Sequence, residues 1–417
     1  MPIRRTEFGS GLRVVTERMP GVRSVAVGFW VLAGSRDEPP PIGGSSHFLE
    51  HLLFKGTKTR SARDIAEAFD AVGGDVNAFT AKEYTCFYAR VRDRDLPMAI
   101  DHLCDMVQRS LLRMGDFEAE RRVILEEINV HEDTPDDLVH DLFTETLWPD
   151  HPLGRRILGT RGSITGVTRD QVRRFYRRHY VPGNLVVVGA GNLQHEMLAD
   201  LVAENVSTGP VRSEERGAWN LRQGGDAPVP SGRSLARKRS TEQAHICIGT
   251  SGLSRVDPDR FAFGVVNNAI GAGMSSRLFQ EIREKRGLAY SVYSYHSMYA
   301  EAGLFCAYVG TTPGRAKEAI SIVRGELEDV VEKGLAPEEF DRAKGHMKGS
   351  LVLSLEDPGG RMSRLGKSEI SHGEILTMNQ ILRRIEAVTP EDARRAAGRV
   401  LSHPMTVTVL GPKGALA

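Results

Sequence analysis

The run "GGSSHFLEHLLFKGT", Gly43 to Thr57, sets two histidines and a glutamate inside an otherwise apolar stretch. Ser45 or Ser46 can cap a helix start there, and Gly56 can end it. On such a helix His47, Glu50, His51 and Phe54 stand at i, i+3, i+4 and i+7, so they share one face. Phe48, Leu49, Leu52 and Leu53 make the remaining surface apolar, which predicts a buried helix. Buried imidazole and carboxylate groups must find partners or forfeit several kcal/mol of solvation. A divalent metal is one such partner, because two histidines four residues apart can point at one ion. A pair of hydrogen-bonded core histidines is the ordinary alternative, since a motif this short also arises by chance.

A catalytic zinc takes about three protein ligands and keeps one position open. Acidic candidates cluster in "DFEAERRVILEEINVHEDTPDD". On a helix Phe117, Glu120, Ile124, Glu127, Ile128 and His131 fall on one face, and its apolar half must pack inward. That face carries Glu120 and Glu127 with it, and two buried carboxylates call for a cation. Glu126 is turned about 100° from Glu127 and is expected at the surface. The residues alone leave Glu126 and His131 open as ligands. Arg121 and Arg122 in the same segment also fit a plain charged helix.

The elements that must position these groups follow from the whole chain. Its 417 residues allow two domains with sizeable cores, or three. With 55 Lys and Arg against 54 Asp and Glu there is no electrostatic case for nucleic acid or an anionic membrane surface. No apolar run reaches transmembrane length, and the opening "MPIRRTEFGSGLRVV" lacks a signal-peptide core, so a cytoplasmic location is expected. Cys86, Cys104, Cys247 and Cys306 are scattered without a C-x-x-C pair. They read as reduced structural thiols and argue against a Cys-ligated zinc.

The polar, Gly- and Pro-rich segment Ser213–Gly232 reads as a linker between residues 1–212 and 233–417. The halves run in parallel order. "SVAVGFWVLAG", "EYTCFYARV" and "DFEAERRVILEEI" in the first answer to "QAHICIGTSG", "AGLFCAYVG" and "EEFDRAKGHMKGSL" in the second, and Phe117 matches Phe340. This self-similarity predicts two related modules, each a sheet with amphipathic helices packed on it. Sheet direction is not legible in the pattern.

"HFLEH", followed by the glutamate of "ERRVILEEI", resembles the inverzincin peptidases of the pitrilysin/insulinase family. The wording is closest to bacterial members similar to the mitochondrial processing peptidase β-subunit. "GGDVNAFTAKEYTCFYARV", "HPLGRRILG" and "GAGMSSRLFQEIREKRGLAYSVYS" look like that family's segments in the family's order, and the match spans nearly the whole chain. The resemblance implies an α+β fold of two homologous modules with mostly antiparallel or mixed sheets. It implies a zinc metalloendopeptidase with one zinc per chain, held by His47, His51 and Glu127. Glu50 would be the general base and Glu120 the acid that supports the site. Asn77 and Ala78 match the edge at which an extended peptide is added as a strand. Arg283 and Tyr290 match the pair that grips the substrate backbone and the developing oxyanion. Ser46 stands where these proteins often carry alanine, a departure that affects only the helix start.

The glycine-rich "GAGMSSRLFQ" lacks the Walker spacing and its Lys-Ser/Thr pair, so no nucleotide is expected. A non-catalytic scaffold or peptide-binding subunit of the same fold is the alternative. Such a protein would have no need of Glu50 together with Glu127, Arg283 and Tyr290. The expected substrates are short or unfolded polypeptides, and the acidic run His131–Asp137 either favours basic residues near the cut or is a solvated loop. Larger members join four modules in one chain. With two modules this chain is expected to form a homodimer whose sites take residues from both copies.

Overall fold

The computed structural model describes residues 3–206, 226–371 and 374–415. Residues 207–225, which hold most of the expected linker, lie outside the described residues. The chain forms two compact units, and each is discontinuous in sequence. The first comprises residues 1–129, 155–222 and 354–375; the second comprises 130–154, 223–353 and 376–417.

The first unit is built on six strands: β1 (Ile3–Glu7), β2 (Arg13–Arg18), β3 (Ser24–Val31), β4 (Asp75–Thr80), β5 (Thr85–Arg92) and β6 (Leu185–Gly191). Their order is β1-β2-β6-β3-β5-β4, with β2 and β6 parallel and all other neighbours antiparallel. The second unit holds β7 (Ser234–Lys238), β8 (Ala244–Gly252), β9 (Ala289–Met298), β10 (Gly303–Thr311) and β11 (Thr406–Gly411), in the order β7-β11-β8-β10-β9. Here β7 and β11 are parallel and the rest antiparallel. Without β1, the two orders and directions coincide strand for strand. Phe117 and Phe340 are both buried in the first turns of the helices Met114–Glu132 and Pro337–Ser354. The duplication is therefore visible as one topology used twice.

Strands such as β3, β6, β10 and β11 are buried along almost their whole length. Both faces of each sheet are covered, which explains their continuous apolar runs. In the first unit, Val27, Phe29, Phe87 and Val187 pack beneath several helices. On the opposite face Ala26, Trp30, Cys86 and Val188 meet Met362, Leu365 and Ile370 of the helix Pro358–Ser371. Burying each of those three side chains is worth roughly 1.5–3 kcal/mol. Ion pairs tie the same helix to β2, where Glu17 meets Arg361 at 2.6 Å and Arg364 at 2.9 Å. Gly366 allows the close approach, since a Cβ there would sit 2.2 Å from Trp30 Cε2. In the second unit the corresponding face, with Cys247, Leu304, Cys306 and Tyr308, is covered by Leu138, Leu142 and Phe143 of the helix Pro135–Leu147. Each sheet thus recruits a helix from the other half of the sequence. Two contiguous halves would each leave one apolar face bare, which is why the compact units cut across the sequence division at the linker.

Candidate metal centre

The histidine-bearing helix is Ser45–Leu53. Its N-cap is Gly44, held at φ 93°, and a Cβ there would meet Ile164 Cδ1 at 2.6 Å and Leu158 O at 2.7 Å. Neither serine caps the helix through its side chain, contrary to the expectation from the sequence. Ser45 Oγ instead donates to Ile42 O at 2.6 Å. The free N–H groups of Gly44 and Ser46 donate to the carboxylate of Glu38, each at 2.6 Å. The helix start is buried, and the two Glu38 oxygens satisfy two of its otherwise free N–H groups at the positive end of the helix. Burial pushes the Glu38 carboxyl up to about 7 against the opposing pull of those bonds and of Arg155. The helix ends at Leu53, and Gly56 follows the C-cap at φ 116°.

The second helix of the site is Met114–Glu132. Phe117 stacks on Phe48 with ring centroids 4.5 Å apart and planes 10° from parallel, which docks the two helices. That packing brings Glu127 to the histidines. Its Oε1 lies 3.6 Å from His47 Nε2 and its Oε2 lies 3.6 Å from His51 Nε2. One ligand atom from each of the three residues falls within 4.8 Å of the others. Glu127 Oε2 is buried and has no hydrogen-bond partner among the described residues. A buried carboxylate oxygen in that condition is costly unless a cation answers it. Two imidazole nitrogens and a carboxylate oxygen form a zinc donor set that leaves a fourth position open. The residues fit that metal.

Charge and tautomer support the same chemistry. Burial, and then the neighbouring His51, push His47 down to about 3, so its ring is neutral at pH 7, the form that ligates. Glu120 is only 5 % exposed and lies 3.0 Å from His51 Nδ1. That bond puts the proton on Nδ1 and leaves the Nε2 lone pair on the side of Glu127. The other Glu120 oxygen meets Lys55 Nζ at 2.8 Å. His47 has no equivalent among the described residues, where its buried Nδ1 lacks a hydrogen-bond partner. Glu50 accepts a 2.6 Å hydrogen bond from Thr80 Oγ1 at the end of β4. Burial raises the Glu50 pKa, and the Thr80 bond acts against that rise.

Glu126 is exposed and accepts a bond from Asn129, and His131 lies 3.0 Å from Asp141. Both candidates left open by the sequence are thereby turned to other partners. Asn77 and Ala78 lie on β4, the edge strand of the first sheet. The Asn77 side chain is exposed, and its Oδ1 accepts from Ala78 N at 2.8 Å. Arg283 and Tyr290 belong to the second unit and contact each other. The guanidinium lies 4.5 Å from the Tyr290 ring centroid and donates to Tyr290 O at 3.1 Å. Tyr290 is 78 % exposed at the start of β9, itself an edge strand. Glu132 and Asp133 of the acidic run flank Arg239, and Asp136 and Asp137 occupy the first turn of the helix Pro135–Leu147. Sequence reasoning missed Glu38, Lys55 and Thr80. Lys55 lies beyond the end of the helix and reaches Glu120 on another helix, so it leaves no more signal in the sequence than Glu38 or Thr80.

Comparison with known proteins points the same way. A family model described as Insulinase (Peptidase family M16) matches residues 13–161. A model described as Peptidase M16 inactive domain matches residues 166–347, a stretch that holds no H-x-x-E-H run. A Streptomyces coelicolor protein named as an uncharacterized zinc protease is 51% identical, covering 98% of this chain and 90% of its own length. Proteins so named from Mycobacterium tuberculosis and Bacillus subtilis are 45% and 40% identical, covering 99% of this chain and 93% and 99% of their own lengths. Among solved structures, a protease from Helicobacter pylori superposes with a TM-score of 0.90 over 99% of this chain and 100% of that one. A Pseudomonas fluorescens structure described as a peptidase M16 inactive domain gives 0.89 over 99% and 98%. Both are 20% identical and speak for the fold.

Proposed function

The chain belongs to the insulinase family of peptidases, M16, and from that premise we propose that it is a zinc metalloendopeptidase acting on short or unfolded polypeptides. The observation that carries the reading is the convergence of His47, His51 and Glu127 around a buried Glu127 oxygen that has no hydrogen-bond partner among the described residues, with Glu50 on the same helix face. One zinc per chain is held by those three side chains. When bound, zinc supplies Lewis acidity, which lowers the pKa of water toward 7 and polarises a carbonyl.

The remaining work falls to the protein. Glu50, adjacent to His51 but outside the ligand set, takes the proton of the attacking water and delivers it to the leaving amine. Thr80 fixes one Glu50 oxygen, so the other is the one that handles the proton. Glu120 holds the His51 ring in its ligating tautomer. The free edge of β4, around Asn77 and Ala78, takes an extended peptide as an added strand through main-chain hydrogen bonds. Strand addition demands an unfolded segment and little sequence specificity. Arg283 grips the substrate backbone, and Tyr290 donates to the oxygen on which negative charge grows. Two chains associate so that each site takes its metal ligands from one copy and its Arg283–Tyr290 pair from the other. Removing the metal with a chelator should abolish cleavage of an unfolded protein substrate, and stoichiometric zinc should restore it. Undiminished cleavage by metal-free protein would overturn the reading.

A further inference from the structure

The second unit holds another group of metal-ligating side chains, all outside the site described above. In the ladder between β8 and β10, Cys247 pairs with Tyr308 and Gly249 with Cys306. The two cysteines therefore stand two residues apart across the ladder, on one face of the sheet. Strand β9 sets Tyr295 opposite Cys306 and Tyr293 opposite Tyr308. The helix Pro135–Leu147 covers this face and brings His140 over it. His140 Nδ1 lies 3.4 Å from Cys247 Sγ and 2.8 Å from the Tyr295 hydroxyl, and Nε2 lies 3.0 Å from the Tyr293 hydroxyl. One ligand atom each from His140, Cys247 and Cys306 falls within 4.8 Å of the others. Both thiols are fully buried.

We propose that His140, Cys247 and Cys306 form a second, structural binding site for a thiophilic divalent cation of the zinc class, with the Tyr295 hydroxyl as fourth donor. Metal–sulfur bonds near 2.3 Å and metal–nitrogen bonds near 2.0 Å at tetrahedral angles separate ligand atoms by roughly 3.5–3.8 Å. The 3.4 Å sulfur–nitrogen spacing already matches that, and the 4.8 Å limit leaves about 1 Å to close. Charge selects the ion. Two thiolates and a neutral imidazole around a dication sum to zero, which suits a buried site, whereas a monovalent copper ion would leave a net negative charge there. Binding displaces the two thiol protons, and no redox step is needed. Tyr293, bonded to Nε2, fixes the ring as a ligand's outer partner does. The scattered sequence positions argue against cysteine ligation, but the antiparallel register makes residues 247 and 306 neighbours. The bound ion staples the covering helix to β8 and β10.

The test uses the full chain carrying His47→Ala and His51→Ala, which removes the first site, with thiols kept reduced. Cobalt(II) is titrated in as a spectroscopic stand-in for zinc. The expected result is a near-ultraviolet thiolate-to-cobalt charge-transfer band that saturates near one cobalt per chain. Zinc should displace the band and raise the melting temperature of this variant. Adding Cys247→Ser and Cys306→Ser should remove both the band and the zinc-dependent rise. A folded His47→Ala/His51→Ala protein that gives no thiolate band would overturn the proposal. If that variant fails to fold, the same band is read in the native chain, where a His–His–Glu site cannot produce it. Its absence from the native chain would equally overturn the proposal. Because the readout is a sulfur signature, failure leaves the peptidase reading untouched.

Discussion

Replacing Glu120 with glutamine tests how the histidine-bearing helix is held for its proposed metal. Glu120 sits 3.0 Å from His51 Nδ1 and 2.8 Å from Lys55 Nζ. Glutamine keeps the size and one acceptor but removes the charge. A hydrogen bond to a charged partner is worth about 1.5–3 kcal/mol, and the neutral replacement retains roughly half of it. The Lys55 contribution is smaller, about 1 kcal/mol or less, because that side chain is 36% exposed and screened by solvent. The amide must also turn its NH2 toward Lys55 to keep its oxygen on His51, so the retained bond is imperfect. The expected loss in zinc affinity is about 10–100-fold, or roughly 1.4–2.7 kcal/mol. Competition against a chromogenic chelator measures it, with circular dichroism of the metal-free protein showing that the fold persists. Lys55→Met is the control and should weaken zinc less than about threefold. A Glu120→Gln protein that binds zinc within about twofold of wild type would refute the claim that Glu120 orients His51.

Thr80→Val should move the acid limb of the kcat/KM profile to higher pH. The hydroxyl donates to the ionised Glu50, so losing it favours the protonated form and raises a pKa that burial already holds up. A limb that stays put, or moves to lower pH, would exclude that contact from the mechanism. Gly366→Ala should destabilise the first unit by about 1–3 kcal/mol, read as a lower urea midpoint, because the new Cβ would lie 2.2 Å from Trp30. For the shared site, Glu50→Gln and Tyr290→Phe homodimers should each be impaired, and mixing them with subunit exchange should raise activity toward half of wild type per heterodimer. A flat mixing curve, with exchange demonstrated by mass spectrometry, would show that the pair does not act across chains.

The spacing of His47, Glu50 and His51 made the shared face of the histidine-bearing helix legible, because i, i+3 and i+4 positions share a face whatever surrounds the helix. The face of Glu120 and Glu127 was legible for the same reason: Phe117, Ile124 and Ile128 mark which side is inward. The duplication also showed, through strand order repeated in the sequence. What stayed hidden depends on tertiary contacts between distant residues. The Glu38 carboxylate caps a helix from outside its first turn, and Thr80 reaches Glu50 only because β4 runs beside the helix. Long apolar strands announced that both sheet faces are buried, but not that residues 354–375 cover the first sheet and 130–154 the second. Cys247 and Cys306 looked unrelated because their proximity is a property of register, which an apolar run buried on both faces does not reveal.

The most direct test of the central claim is Glu50→Gln, with zinc content and turnover measured on the same preparation. Glu50 lies outside the group of metal-ligating atoms but on the same helix face. The variant should retain wild-type zinc while kcat/KM for an unfolded substrate falls by roughly 10²–10⁴-fold, the share of a positioned general base. Cleavage at the wild-type rate, or loss of the zinc along with activity, would contradict the division of labour between His47, His51 and Glu127 as ligands and Glu50 as base.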